Sequence, residues 1–370
     1  MTASAPAAPA HVRELARYVP GKSIEEVARD LHLDPKAIVK LASNENPRGP
    51  SPRVLAAIAQ AASEVTRYPD GNAFALKAAL SERLGVAPAQ IVLGNGSNDV
   101  LELVTQAYLR AGDEAVYAQH AFAVYPLATQ ARGGVGIEVP AREFGHDLPQ
   151  MRAAITKRTR IVFVANPNNP TGTFVAGAEL EAFVASVPRD VLVVLDEAYN
   201  EYLEPAERCD SVSWLSRYPN LVLSRTFSKA HGLAALRIGY GIMHADVADM
   251  LNRVRQPFNV NALAQAAALA ALADDDYVDA SRELNRAGIK QLRDGLAALG
   301  VSSLPSHGNF VLAKVGDAQK VNQALLAQGV IVRPVANYGL PEWLRVSVGL
   351  KSENERFLAA LASAIGACRP

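Results

Sequence analysis

The stretch Ser224–Arg237, SRTFSKAHGLAALR, sets one lysine, Lys229, among small and apolar residues shortly after the strand-like run LVLS, with Arg237 eight positions further on. A lysine at a strand end is ordinarily a solvated surface charge, so its meaning depends on its companions. In VLGNGSNDVLELV a strand-like run passes through Gly94 and Gly96 into a helical pattern starting near Asn98. The free N–H groups of Ser97 and Asn98 at such a helix start form a ready anion site, although an ordinary helix cap explains them too. In ANPNNPTGT, residues 165–173, a turn dense in Pro and Asn follows the run RIVFV and offers the amide of Asn169. In VLVVLDEAYNEY an unbroken apolar run delivers Asp196 at its end and Tyr199 three residues later. A buried carboxylate there needs a cation or strong donors, or else it caps a helix.

Taken together, a lysine able to form a Schiff base, an aspartate for a ring nitrogen and an anion site for a phosphate are what pyridoxal 5′-phosphate requires. A dinucleotide fits poorly. The pattern G-x-G-x-x-G fails, because Gly94 and Gly96 are followed by Asp99, and no Walker lysine is present. A nicotinamide oxidoreductase is disfavoured accordingly.

The elements that must position these residues are short apolar runs alternating with helical patterns: Ile91–Leu93, Ala115–Tyr117, Arg160–Ala165, Val191–Leu195, Leu221–Leu223 and Ile238–Met243. Runs apolar on both faces predict an α/β fold with a mainly parallel central sheet and helices on both faces. Ligands then bind at the carboxyl ends of the strands, where each candidate lies. Beyond residue 260 the rhythm changes to a long helical stretch, then NFVLAKV, VIVRPV and WLRVSVGL, which predicts a smaller α+β domain. The expected division is a mobile tail (1–10) and arm within 1–50, a large domain over 51–260 and a small domain over 261–370.

Bulk composition narrows the partners. With 37 Lys+Arg against 37 Asp+Glu, the 370-residue chain has zero formal charge and no global field for nucleic acid or an anionic membrane. Cys209 and Cys368 stand far apart, with no CxxC and no histidine cluster, so neither a disulfide framework nor a metal site is expected, and a reducing cytoplasm fits. No secretory leader pattern opens the chain, and the apolar tract at 262–273 is too short and alanine-rich to span a bilayer.

In this order and spacing, NENPRGP, RYPDG, NNPTG, DEAY and SKAHGLAALR resemble the motifs of the fold-type I aminotransferases, nearest those acting on histidinol phosphate; the likeness runs from about residue 18 to WLRVSVGLKSENERF. It implies that Lys229 carries the cofactor and moves the substrate proton, with Asp196 keeping the ring nitrogen protonated. It further implies that Asn169 and Tyr199 bond the cofactor's phenolic oxygen, that Phe122 stacks on its ring, and that Ser97, Asn98, Thr226, Ser228 and Arg237 surround its phosphate. As a core aromatic, Phe122 has an equally plain explanation.

The same resemblance implies a homodimer in which Tyr68 reaches the neighbouring site, though YPDG also reads as a simple turn. Arg333, Arg345, Tyr18 and Asn46 are expected to bind the substrate, an amino donor or a 2-oxo acid. The expected reaction runs from L-histidinol phosphate to 2-oxoglutarate; an aromatic amino acid as donor is the near alternative, and a non-catalytic binding module the distant one. That module would carry a basic helix-turn-helix segment, which the sequence lacks. His231, Ala235 and Arg48 depart from the usual pattern and have no assigned role, and the isomer of the Asn169–Pro170 bond is open.

Overall fold

The computed structural model describes residues 6–368, so residues 1–5 of the expected tail lie outside the described residues. The arm contributes one short strand, β1 (Val39–Lys40). Strands β2 (Ile91–Gly94), β3 (Glu114–Ala118), β4 (Val135–Val139), β5 (Thr159–Ala165), β6 (Leu192–Asp196), β7 (Leu221–Thr226) and β8 (Gly239–Met243) build a seven-stranded sheet. Its order is β2-β8-β7-β6-β5-β3-β4, and β8 alone runs antiparallel to its neighbours. The α/β reading with a mainly parallel sheet is therefore borne out.

The apolar runs form strands because both faces are covered: Val193, Val194, Leu195, Ile161, Val162 and Phe163 are all fully buried. Burying each such side chain stabilises the fold by about 1.5–3 kcal/mol, which holds the strand ends, and what they carry, in fixed positions. Strand β4, by contrast, was not anticipated. VGIEV is an edge strand with Val135 44% exposed, so it lacks the continuous apolar run that marks its neighbours.

The smaller unit holds β9 (Phe310–Lys314), β10 (Val330–Ile331), β11 (Arg333–Val335) and β12 (Leu340–Ser347). β11, β12 and β9 form an antiparallel sheet, while β10 pairs in parallel with β1 of the arm. The arm is thus stitched to the small unit: the Leu41 N–H donates to Ile331 O at 2.7 Å, and the Ser347 N–H donates to Leu41 O at 2.8 Å. The alanine-rich helix Ala262–Leu272 packs on helices Pro52–Ala61 and Phe74–Leu84, so the large core runs on through Leu272, past the boundary expected at 260. Small Ala264, Ala267, Ala268 and Ala271 let that helix lie close. Among the described residues, no helix is long and apolar enough to cross a membrane.

Candidate active site

Lys229 stands in the turn that leaves β7. Phe227 and Ala230, both fully buried, anchor the turn on either side, and Gly232 closes it with φ +72°, its N–H donating to Lys229 O at 2.9 Å. The Lys229 Nζ donates to Ser43 O of the arm at 3.2 Å and lies 5.9 Å from the Tyr199 ring centroid. Burial first, then the Arg345 guanidinium, with a smaller push from Arg237, brings its pKa down to about 8, against the opposing charges of Glu45 and Asp196. A free-amine fraction is thereby present near neutral pH.

Asp196 is the last residue of β6. Its Oδ2 accepts from the Tyr125 hydroxyl at 2.9 Å, while its Oδ1 is buried with no partner. Burial raises its pKa to about 6, and the Tyr125 hydroxyl bond together with the nearby Ala198 N–H dipole holds the rise in check, so the carboxyl is mostly ionised at neutral pH. An ionised oxygen buried without a donor fits the protonated ring nitrogen of pyridoxal phosphate.

The phosphate end is built from backbone. Gly96, at φ +86°, turns β2 into helix Ser97–Tyr108, and a Cβ at Gly96 would lie 2.5 Å from Arg237 Nη2. A Cβ at Gly239 would collide with Ser97 N. As the first helical residues, Ser97 and Asn98 have N–H groups without intrahelical acceptors. The turn itself is pinned by Asp99, whose Oδ2 accepts from Asn95 N–H at 2.9 Å and from Asn259 Nδ2 at 2.7 Å. Arg237, in the left-handed region at φ +56°, donates to Ala234 O at 3.0 Å and remains exposed. Thr226 Oγ1 accepts from the Ser228 N–H at 3.1 Å, and both side chains are buried.

Facing this is a wall of side chains from the arm and small unit. Arg345 is buried on β12, directly across from Arg333 on β11. Its Nη1 donates to Asn169 Oδ1 at 2.5 Å and its Nη2 to Ala42 O at 2.7 Å, while its buried Nε has no partner. Arg333 donates to Val19 O at 2.8 Å and lies 5.9 Å from the Tyr18 ring centroid. Asn44 Nδ2 donates to the Tyr199 hydroxyl at 2.8 Å, and Asn44 Oδ1 accepts from Ser347 Oγ at 3.0 Å. The Asn169–Pro170 bond is cis.

A single cavity of about 380 Å³ is lined by Tyr18, Ser97, Asn98, Phe122, Asn169, Asp196, Tyr199, Thr226, Ser228, Lys229, Arg237, Arg333 and Arg345. Phe122 meets Tyr125 edge-on at 5.9 Å. Asn46 is a correction: it does not line the cavity, because its Nδ2 is bonded to Ala230 O and Ser281 Oγ at 3.0 and 2.9 Å. Asn44, two residues earlier and at φ +54°, is the asparagine turned inward instead. Tyr68 lies outside the cavity, 82% exposed and stacked 4.8 Å from Phe258. His231 packs on Phe227 at 4.9 Å, and Arg48 sits 5.4 Å over the Tyr277 ring; neither lines the cavity. Sequence reasoning missed Tyr125, Asn44 and Ser347. Tyr125 carried one usable signal, its place three residues after Phe122 in HAFAVYP. Among the described residues, no cluster of His, Cys, Asp or Glu could hold a metal.

A depressed lysine and an ionised, half-unpartnered aspartate at the carboxyl ends of this sheet, beside a glycine-lined anion cradle, define a pyridoxal-phosphate-dependent transferase fold of type I. Residues 36–361 match the family aminotransferase class I and II. The chain is 64% identical to histidinol-phosphate aminotransferase 1 of Thiobacillus denitrificans over 97% of its length and 94% of that protein's. It is 60% identical to histidinol-phosphate aminotransferase 2 of Pseudomonas fluorescens, covering 95% of each chain. Among solved structures, the histidinol-phosphate aminotransferase of Sinorhizobium meliloti in complex with pyridoxal-5′-phosphate superposes with a TM-score of 0.91 at 30% identity over the whole of both chains. The chain belongs to the class I and II aminotransferase family.

Proposed function

We propose that this protein transfers the amino group of L-histidinol phosphate to 2-oxoglutarate, giving imidazole acetol phosphate and L-glutamate, as a cytoplasmic step of histidine biosynthesis. Pyridoxal 5′-phosphate held through Lys229 would supply an electrophilic carbon for the incoming amine and an electron sink for the α-carbon. Once the incoming amine has displaced it from the cofactor, the Lys229 Nζ, whose lowered pKa leaves a fraction unprotonated near neutral pH, would take up the α-proton and return one on the other side of the exchange. The unpartnered Asp196 Oδ1 would accept the ring N–H and keep the sink protonated. Asn169 and Tyr199 would serve the phenolic oxygen, and Phe122 would cover the ring. The N–H groups of Ser97 and Asn98, the hydroxyls of Thr226 and Ser228 and the Arg237 fork would hold the phosphate. Tyr18, Arg333 and Arg345 take the anionic end of the substrate.

In this proposal the working unit is a homodimer, with Tyr68 of each chain covering the partner's phosphate site. What supports it is that large apolar side chains of the segment carrying Tyr68 are left exposed, Tyr68 82%, Phe74 77%, Val65 61% and Leu55 52%, and that Arg237 is exposed as well. The observation that carries the catalytic reading is the one cavity that Lys229 and the unpartnered Asp196 Oδ1 share with Arg237 of the large domain and with Arg333 and Arg345 of the small unit. Two arginine ends suit a substrate and a cofactor that are each anionic.

Borohydride treatment of the yellow protein is expected to fix the cofactor on one peptide, the one containing Lys229. Label elsewhere, or undiminished turnover by Lys229→Ala, would refute the mechanism. Half-reaction rates with L-histidinol phosphate and L-phenylalanine test the substrate, and a large excess for phenylalanine would reverse the assignment.

A further inference from the structure

The cavity's charges are unevenly matched. Lys229, Arg237, Arg333 and Arg345 face it, against only two carboxylates, Asp196 and Glu45. Asp196 is buried beneath, bonded to Tyr125, whereas the Glu45 side chain is 43% exposed on the arm wall. Glu45 Oε1 accepts from Lys40 Nζ at 2.8 Å, and among the described residues no hydrogen bond engages its Oε2.

The loop beneath Glu45 is held on every side. Ser43 O accepts from Lys229 at 3.2 Å, Glu45 O accepts from Asn309 Nδ2 at 3.3 Å, and Asn46 is bonded to Ala230 and Ser281.

The donor proposed above brings three groups. Its amine must reach Lys229, and its phosphate suits the arginines; the imidazole remains, with a ring N–H that needs an acceptor once water is displaced. Of the two carboxylates that line the cavity, Asp196 is the one assigned above to the ring nitrogen, and Glu45 Oε2 is the charged acceptor that remains. We infer that Glu45 selects the imidazole side chain by accepting its ring N–H, with Lys40 holding the carboxylate in place. This assignment rests on histidinol phosphate being the donor. Phenylalanine, planar but without a ring N–H, gains nothing from it, so Glu45 acts as a discriminating contact.

The test uses pyridoxal-phosphate-loaded Glu45→Ala and Glu45→Gln, with half-reactions followed by cofactor absorbance. For Glu45→Ala, kcat/KM with L-histidinol phosphate is expected to fall about 10- to 100-fold, the loss of one charge-assisted hydrogen bond. The phenylalanine half-reaction is expected to change by less than about threefold. The isosteric Glu45→Gln, which keeps an acceptor but no charge, should fall between wild type and Glu45→Ala and guards against a folding artefact. Equal losses for both donors would overturn the assignment and leave Glu45 as a support for its loop. A wild-type preference for phenylalanine would instead overturn the substrate reading, and this assignment with it.

Discussion

The two walls of the cavity are made differently. On the large-domain wall, each group sits at or just past the end of a strand: Asp196 closes β6, Lys229 follows β7, and Ser97 follows β2 by a tight glycine turn. On the other wall, the groups come from distant parts of the chain, as where Arg345 meets Ala42 across 303 residues and Asn169 across 176. The wall proposed for the cofactor is local chemistry on a buried sheet; the wall proposed for the substrate exists only when arm and small unit are packed. The first should therefore respond to substitution in kcat and cofactor affinity, the second in donor affinity.

Asp196→Asn gives the largest expected effect on that contrast. It keeps the shape but removes the charge proposed to face the ring nitrogen, and kcat should fall on the order of 10²- to 10³-fold. A fall confined to KM, measured in steady state, would erase the distinction between the walls. Arg345→Lys comes next: a point charge cannot hold both Asn169 and Ala42 as the guanidinium does, so in the proposed substrate role kcat/KM for the donor should drop about 10- to 100-fold. Cofactor affinity, read by fluorescence titration, should change far less.

Gly96→Ala tests the backbone of the cofactor wall. A Cβ there meets the Arg237 guanidinium and must tolerate φ +86°, so stability should fall by about 1 kcal/mol or more and cofactor affinity with it. Denaturant melts with and without cofactor separate the two losses.

The smallest effect is expected from Tyr125→Phe. Its hydroxyl favours the ionised form of Asp196, whose pKa burial already raises to about 6. Removing the bond raises that pKa further, so more Asp196 is protonated at a given acidic pH and the acid limb of the rate profile moves to higher pH. A limb that stays put or moves down would show that Asp196 does not govern it. At neutral pH, kcat should fall only about two- to fivefold.

Legibility followed the same division. The places of Asp196, Asn169, Ser97 and Lys229 could be read because an apolar run announces a strand, and a polar residue at its end has one direction to go. Tyr125 could not, since its hydroxyl meets Asp196 only through the packing of its helix on the sheet. The choice between Asn44 and Asn46 was closed to sequence for a similar reason: a left-handed backbone at Asn44 decides which amide enters the cavity. Strand β4 stayed hidden because an edge position removes the two-sided burial that writes an apolar run.

The sequence by itself determined the α/β class, the strand ends and the kinds of group set there, because short-range patterning, apolar burial and helix-start chemistry act over a few residues. Only the tertiary structure decided that Lys229 lies against Ser43 O, that Arg345 and Arg333 face the same cavity, and that one oxygen of Asp196 is left without a donor. Those are contacts between segments far apart in the chain. They exist because packing brings arm, sheet and small unit together, and the same packing removes the water that would otherwise level the pKa values of Lys229 and Asp196.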